Sequence, residues 1–233
     1  MYLEYTLYIA CILALILSVW AQIKVSSAFN KYSGVSTRAG YTGAELARRM
    51  LDANGLYHVR IECIGGNLSD HYDPRSEVLR LSEAVYHGDS AASIGVAAHE
   101  AGHAVQHSVG YFPLKLRSAL VPITGFASRF SWIVIMLGFL FMTFDAIIGY
   151  YVSLFGIGLF AVTTLFGLVT LPCEFNASKR AMQAIRSMSV YSHEELTASR
   201  KVLSAAALTY VASTLVSLLQ LLRLVVSLGN RKR

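Results

Sequence analysis

Four apolar runs decide most of what this chain can fold into: residues 3–23, Ser131 to Ile148, Tyr151 to Leu171 and Ser204 to Leu228. At 1.5 Å of rise per residue, each is long enough to cross about 30 Å of hydrocarbon as a helix. The chain is 55% hydrophobic and only 15% charged, against roughly 25% charged in an average soluble domain. A multi-pass membrane protein with a modest soluble part is therefore expected. The first run leads into "AQIKVSSAFNKYSG" without a small-residue cleavage pattern, so residues 1–23 read as a retained anchor rather than a signal peptide. The second and third runs are so close that they form a hairpin, 130–171. The last run, within 204–233, reads as a fourth span, or else as a buried or interfacial helix.

Charge placement speaks to topology. Lys24, Lys31, Arg38, Lys115, Arg117 and Arg129 flank the 24–129 segment, and Lys179, Arg180, Arg186, Arg200 and Lys201 fill 172–203. Both segments are expected on the cytoplasmic side, with the N-terminus outside. The tail "NRKR" runs against this, since four spans return it outside. The net charge of +6 is spread along loops and forms no stripe, so nucleic acid is not an expected partner. Cys11, Cys63 and Cys173 supply neither a disulfide framework nor a C-x-x-C metal pair.

Within the soluble segment, Thr42 and Glu45 form a capping box for a helix carrying Leu46, Met50 and Leu51 on one face, closed by Gly55. Val59, Ile61 and Cys63 alternate as a strand, and a second strand is expected near Glu77 to Leu81. Asp89 or Ser90 caps the next helix, which Gly110 and Pro113 terminate.

That helix carries "AAHEAGHAVQHS". His99, Glu100 and His103 fit H-E-x-x-H, which sets two imidazoles one turn apart on a helix face with a carboxylate beside them. A catalytic zinc takes three protein ligands and keeps one position open, so a third ligand is required. The metzincin signature is excluded, because Gln106 and Val109 stand where it needs Gly and His. His107 lies two turns from His99, too far to share an ion with both, and reads as a hydrogen-bonding or dipole residue. Glu174, in "LPCEFNASKRAMQAI", has two readings: a third ligand returned to the site by the hairpin, or a glutamate favoured at a helix N-terminus after Pro172.

Together "HYDPRSEVLRLS", "GVAAHEAGHAVQH", "LVTLPCEFNASKRA" and "TYVASTLVSLLQLLRL" resemble the YugP-like family of bacterial membrane zinc metallopeptidases, over essentially the whole chain. The chain is more distantly similar to the HtpX and CAAX prenyl protease gluzincins. The resemblance implies a membrane α-helical fold of about four transmembrane helices, with a small α+β zincin-like catalytic region where the H-E-x-x-H helix lies next to a short sheet. It implies Zn2+ on His99, His103 and Glu174, with Glu100 as general base in the hydrolysis of protein or peptide substrates at the bilayer surface. By the same analogy, the strand near Glu77 to Leu81 would be the edge that pairs with substrate. One departure is Ser178, which stands where HtpX-like proteins carry an aspartate that orients a ligand histidine. Asp73 and Asp89 are alternative partners, and Tyr191, His193 and Arg180 are candidates to stabilise an oxyanion. Asp145 is expected near the hairpin tip of the second span, and Arg223 is close enough to a helix end to reach lipid headgroups. The rival reading is a membrane scaffold with a structural zinc, closed by a fourth ligand such as His71, His87 or His107.

Overall fold

The computed structural model describes residues 2–231. The elements are α1 (Tyr2–Ser33), α2 (Gly43–Ala53), β1 (Arg60–Ile64), β2 (His71–Asp73), β3 (Val78–Ser82), α3 (Glu83–Tyr86), α4 (Ala91–Ser108), α5 (Phe112–Phe141), α6 (Ala146–Ser187) and α7 (His193–Arg231). Two compact units divide them. One holds the described residues up to Trp20, Leu116–Leu171 and those from Tyr210 on; the other holds Ala21–Lys115 and Pro172–Thr209.

The first unit is built from parts of α1, α5, α6 and α7, each a helix long and apolar enough to cross a membrane. Their outward faces expose large apolar side chains such as Ile16, Met136, Phe155 and Leu222, an arrangement suited to lipid, where only internally hydrogen-bonded helices or closed barrels can span. Two local expectations change. The second span does not extend to Ile148, because α5 ends at Phe141. Asp145 lies in the turn that follows, its carboxylate accepting the N–H groups of Ile147 and Ile148 at 2.9 Å each. It caps α6 from the hairpin tip, where the sequence placed it. Arg223 sits over the Tyr8 ring, 4.6 Å from its centroid, a cation–π contact within the unit. Pro172, where a helix boundary was expected, lies inside a continuous α6; the ring costs one ladder bond but does not stop a long apolar helix.

In the second unit, α2 is closed as its sequence predicts, with both bonds of the Thr42–Glu45 capping box present and Gly55 following its C-cap. The sheet runs β1-β3-β2. β1 pairs β3 in parallel from Arg60↔Val78, and β2 pairs β3 antiparallel from His71↔Arg80 to Asp73↔Val78. The strand at Val78–Ser82 is therefore central, which overturns its expected role as a free edge. Val78, Leu79 and Leu81 are fully buried, as on a strand covered on both faces. The edges belong to β1 and to β2, whose three residues are too few for periodicity to reveal.

Ser90 caps α4 by accepting the Ser93 N–H. The helix ends where Gly110 takes φ +64°, with Gly110 N–H on His107 O and Tyr111 N–H on Gln106 O, the paired bonds of a left-handed helix stop. Ile94, Ala97, Ala98 and Ala101 of α4 join Leu46 and Met50 of α2, Leu79 and Leu81 of β3, and Ala181 and Ile185 of α6 in one core. The small residues let α6 come close. A Cβ on Gly102 would lie 2.8 Å from the Ala177 carbonyl oxygen, so the two backbones touch there. Gly102→Val must push α6 away, at about 1–3 kcal/mol of overpacking. We expect a lower unfolding midpoint in detergent together with weaker zinc binding, because Glu174 lies one turn before Ala177 on the displaced helix.

Candidate metal centre

His99 and His103, one turn apart on α4, face each other edge-on with ring centroids 4.8 Å apart. Glu174 comes to them from α6. One carboxylate oxygen lies 3.1 Å from His99 Nε2 and the other 3.6 Å from His103 Nε2. The ligand atoms of the three residues all lie within 4.8 Å of one another. Bonds of about 2.05 Å at tetrahedral angles place neighbouring ligand atoms about 3.4 Å apart, so a cluster of this size could close on one ion with small side-chain adjustments. Burial adds to the fit: Glu174 is 2% exposed, and a carboxylate is retained at such depth only with strong partners. Its position deep within α6, far from Ala146, removes the helix N-terminus reading.

The outward nitrogen of each histidine is engaged. His99 Nδ1 lies 3.1 Å from Ser178 Oγ and His103 Nδ1 lies 2.9 Å from Gln106 Oε1. Both rings thus turn Nε2 towards Glu174. Ser178 fills the place of the expected aspartate, while Asp73 is occupied by Arg75 N–H and Ser76 Oγ and Asp89 by Ser36 Oγ. Gln106 enters the sequence reading only as the residue that excludes metzincins, yet its side chain meets His103 here. The available signal was its i+3 spacing from His103, which sets both side chains on one helix face.

Glu100 faces β2. Its Oε2 accepts the main-chain N–H of Tyr72 at 3.1 Å, and burial pushes its carboxyl above the ordinary range, opposed by His99 and His103. In the metal-free protein the unfolded chain ionises Glu100 at its ordinary value, near pH 4, and the folded chain only at higher pH. This group's contribution to stability is therefore largest below the ordinary value and declines as pH rises through the folded one. Metal-free Glu100→Gln should gain in thermal midpoint over the wild type as pH rises above Glu100's ordinary value. Parallel midpoint–pH curves would contradict that burial cost.

Tyr72 makes a second contact with α4 through its hydroxyl, 2.9 Å from His107 Nδ1, and burial pushes its own pKa up to about 12. His107 accordingly bonds to β2 and, as its spacing predicted, lies outside the ligand group. His71 Nδ1 bonds to Ser69 O and His87 packs against Tyr86, so among the described residues no fourth histidine joins the His99, His103 and Glu174 cluster. Of the oxyanion candidates, Arg180 donates to Asn176, Tyr191 is packed into the core and His193 opens α7.

Residues 7–229 match the family described as "Putative neutral zinc metallopeptidase". The chain is 51% identical over 219 residues to the "Putative membrane protease YugP" of Bacillus subtilis (strain 168), covering 94% of this chain and 95% of that protein. No solved structure matches. A match over nearly the whole chain, joined to a cluster with the spacing of a zinc site, shows that this chain belongs to that zinc metallopeptidase family.

Proposed function

We propose that the protein is a membrane-embedded zinc-dependent endopeptidase of gluzincin type, cleaving proteins or peptides at the membrane surface. His99, His103 and Glu174 hold the ion and Glu100 is the general base. The observation that carries this reading is the placement of Glu100 between the ligand cluster and the exposed edge of the sheet. Tyr72 pairs with Leu79 of β3, yet its N–H points to Glu100. In an antiparallel ladder a residue's N–H and C=O point the same way. Both Tyr72 main-chain groups therefore face away from β3, and an extended peptide added to this edge would run past Glu100. Recognition through the main chain would be permissive in sequence.

A bound zinc ion supplies Lewis acidity for the scissile carbonyl and lowers the pKa of water towards 7. Glu100 accepts the proton of the attacking water and then returns it to the leaving amine. Burial, which raises its pKa, makes the carboxyl a stronger base than an exposed one for taking up that proton. Tyr72 N–H holds the carboxylate in place until substrate claims the edge. The basic residues of 24–129 and 172–203 support a cytoplasmic location for the site.

Metal removal tests the proposal. Purified protein in detergent should hydrolyse an unfolded protein substrate, lose that activity on equilibration with a strong chelator, and regain it with stoichiometric zinc. Hydrolysis unaffected by the chelator would refute it.

A further inference from the structure

Behind His103 runs a chain of hydrogen bonds with a single consistent direction. Arg180 Nε donates to Asn176 Oδ1 at 2.8 Å, and a guanidinium cannot accept. Gln106 Nε2 lies 2.9 Å from the same oxygen and 2.8 Å from the main-chain carbonyl of Cys173. With two acceptors against one end of the amide, that end must be the nitrogen. Gln106 Oε1 then faces His103 Nδ1 at 2.9 Å, and because Oε1 can only accept, Nδ1 must carry the proton. The lone pair on Nε2 is left directed at the Glu174 carboxylate. A flipped Gln106 amide would set its oxygen against two others, in a side chain with 0% exposure where an unmet polar group is costly.

We infer that Gln106 is a positioning residue for the metal: held by Cys173, Asn176 and Arg180, it locks His103 in the Nδ1–H tautomer through a neutral partner. The inference rests on His103 being a ligand. The carboxylate that commonly backs a zinc histidine raises the ligand's basicity, whereas Gln106 fixes orientation without adding charge. Ser178 does the same for His99, so Glu174 is the one anionic ligand and neither histidine is backed by a carboxylate. The ion is left more electron-poor than one with carboxylate-backed histidines, which suits polarisation of a peptide carbonyl.

The test measures zinc affinity by chelator competition on full-length protein in detergent, alongside the visible spectrum of the cobalt(II)-substituted protein. Neither readout requires turnover. Gln106→Leu keeps the volume but removes the acceptor, and zinc affinity should fall 10- to 100-fold with altered cobalt bands. Gln106→Glu returns an acceptor to His103 but sets its other oxygen against Cys173 O and Asn176 Oδ1, so it should bind zinc more tightly than Gln106→Leu and less tightly than the wild type. Arg180→Met, at a partly buried site, frees the Asn176 amide and should weaken zinc several-fold. If Gln106→Leu does not fold, Arg180→Met and Asn176→Leu decide. Unchanged affinity and unchanged cobalt bands in the folded variants overturn the positioning role. Glu174→Ala separates this from the ligand assignment: zinc retained there refutes the ligand set, while zinc lost there but retained in Gln106→Leu refutes only the inference about Gln106.

Discussion

Glu100→Gln should bind zinc as the wild type does and lose hydrolysis by at least about 10²–10⁴-fold, the range associated with general acid–base catalysis. The two halves of this result depend on different atoms. Glutamine has the shape of glutamate and can still accept the Tyr72 N–H that Oε2 accepts now, so β2 stays docked and the ligand cluster is undisturbed. What the amide cannot do is take a proton from water and hand it on. The effect should fall on kcat and kcat/KM together, as for a group whose contribution is made in the transition state. Metal content is read by elemental analysis and turnover with an unfolded protein substrate. Retained hydrolysis would sink the proposed base. Retained zinc without hydrolysis also separates the enzyme from a scaffold with a structural ion, whose properties would not depend on this carboxylate.

Glu174→Ala acts on the metal itself. Two histidines one turn apart make a bidentate site, and without the carboxylate from α6 the third bond and the only anionic ligand disappear. Affinity should fall by more than the 10- to 100-fold typical of losing an outer partner, enough for the protein to purify without zinc and without activity. Glu174 contacts both histidines, at 3.1 Å and 3.6 Å, so its loss also releases the rings. Elemental analysis after dialysis decides the matter: full occupancy in this variant would remove Glu174 from the site.

The features legible in the sequence are those written in contiguous stretches. Apolar length set the four membrane-length helices, and the i, i+4 spacing of His99 and His103 placed two ring nitrogens on one face. Thr42, Ser90, Gly55 and Gly110 closed their helices through bonds spanning only a few residues. Where local reading failed, a longer-range partner had intervened. Pro172 was taken as a boundary although α6 continues through it, and β2, three residues long, became visible only beside β3. Its presence turned the expected edge strand into the middle of the sheet and moved the exposed edge to Tyr72.

By itself the sequence determined that this chain carries apolar helices of membrane length and a helix with two histidines and a glutamate in zinc-binding spacing, because helix periodicity and apolar length are properties of neighbouring residues. Glu174 was one of two open readings until α6 brought it against α4, 75 positions from His99, and Gln106 had no evident role until Cys173 and Asn176 closed around its amide. Those pairings were decided by the tertiary structure alone: which backbones approach closely, as at Gly102 and Ala177, depends on how the whole core packs.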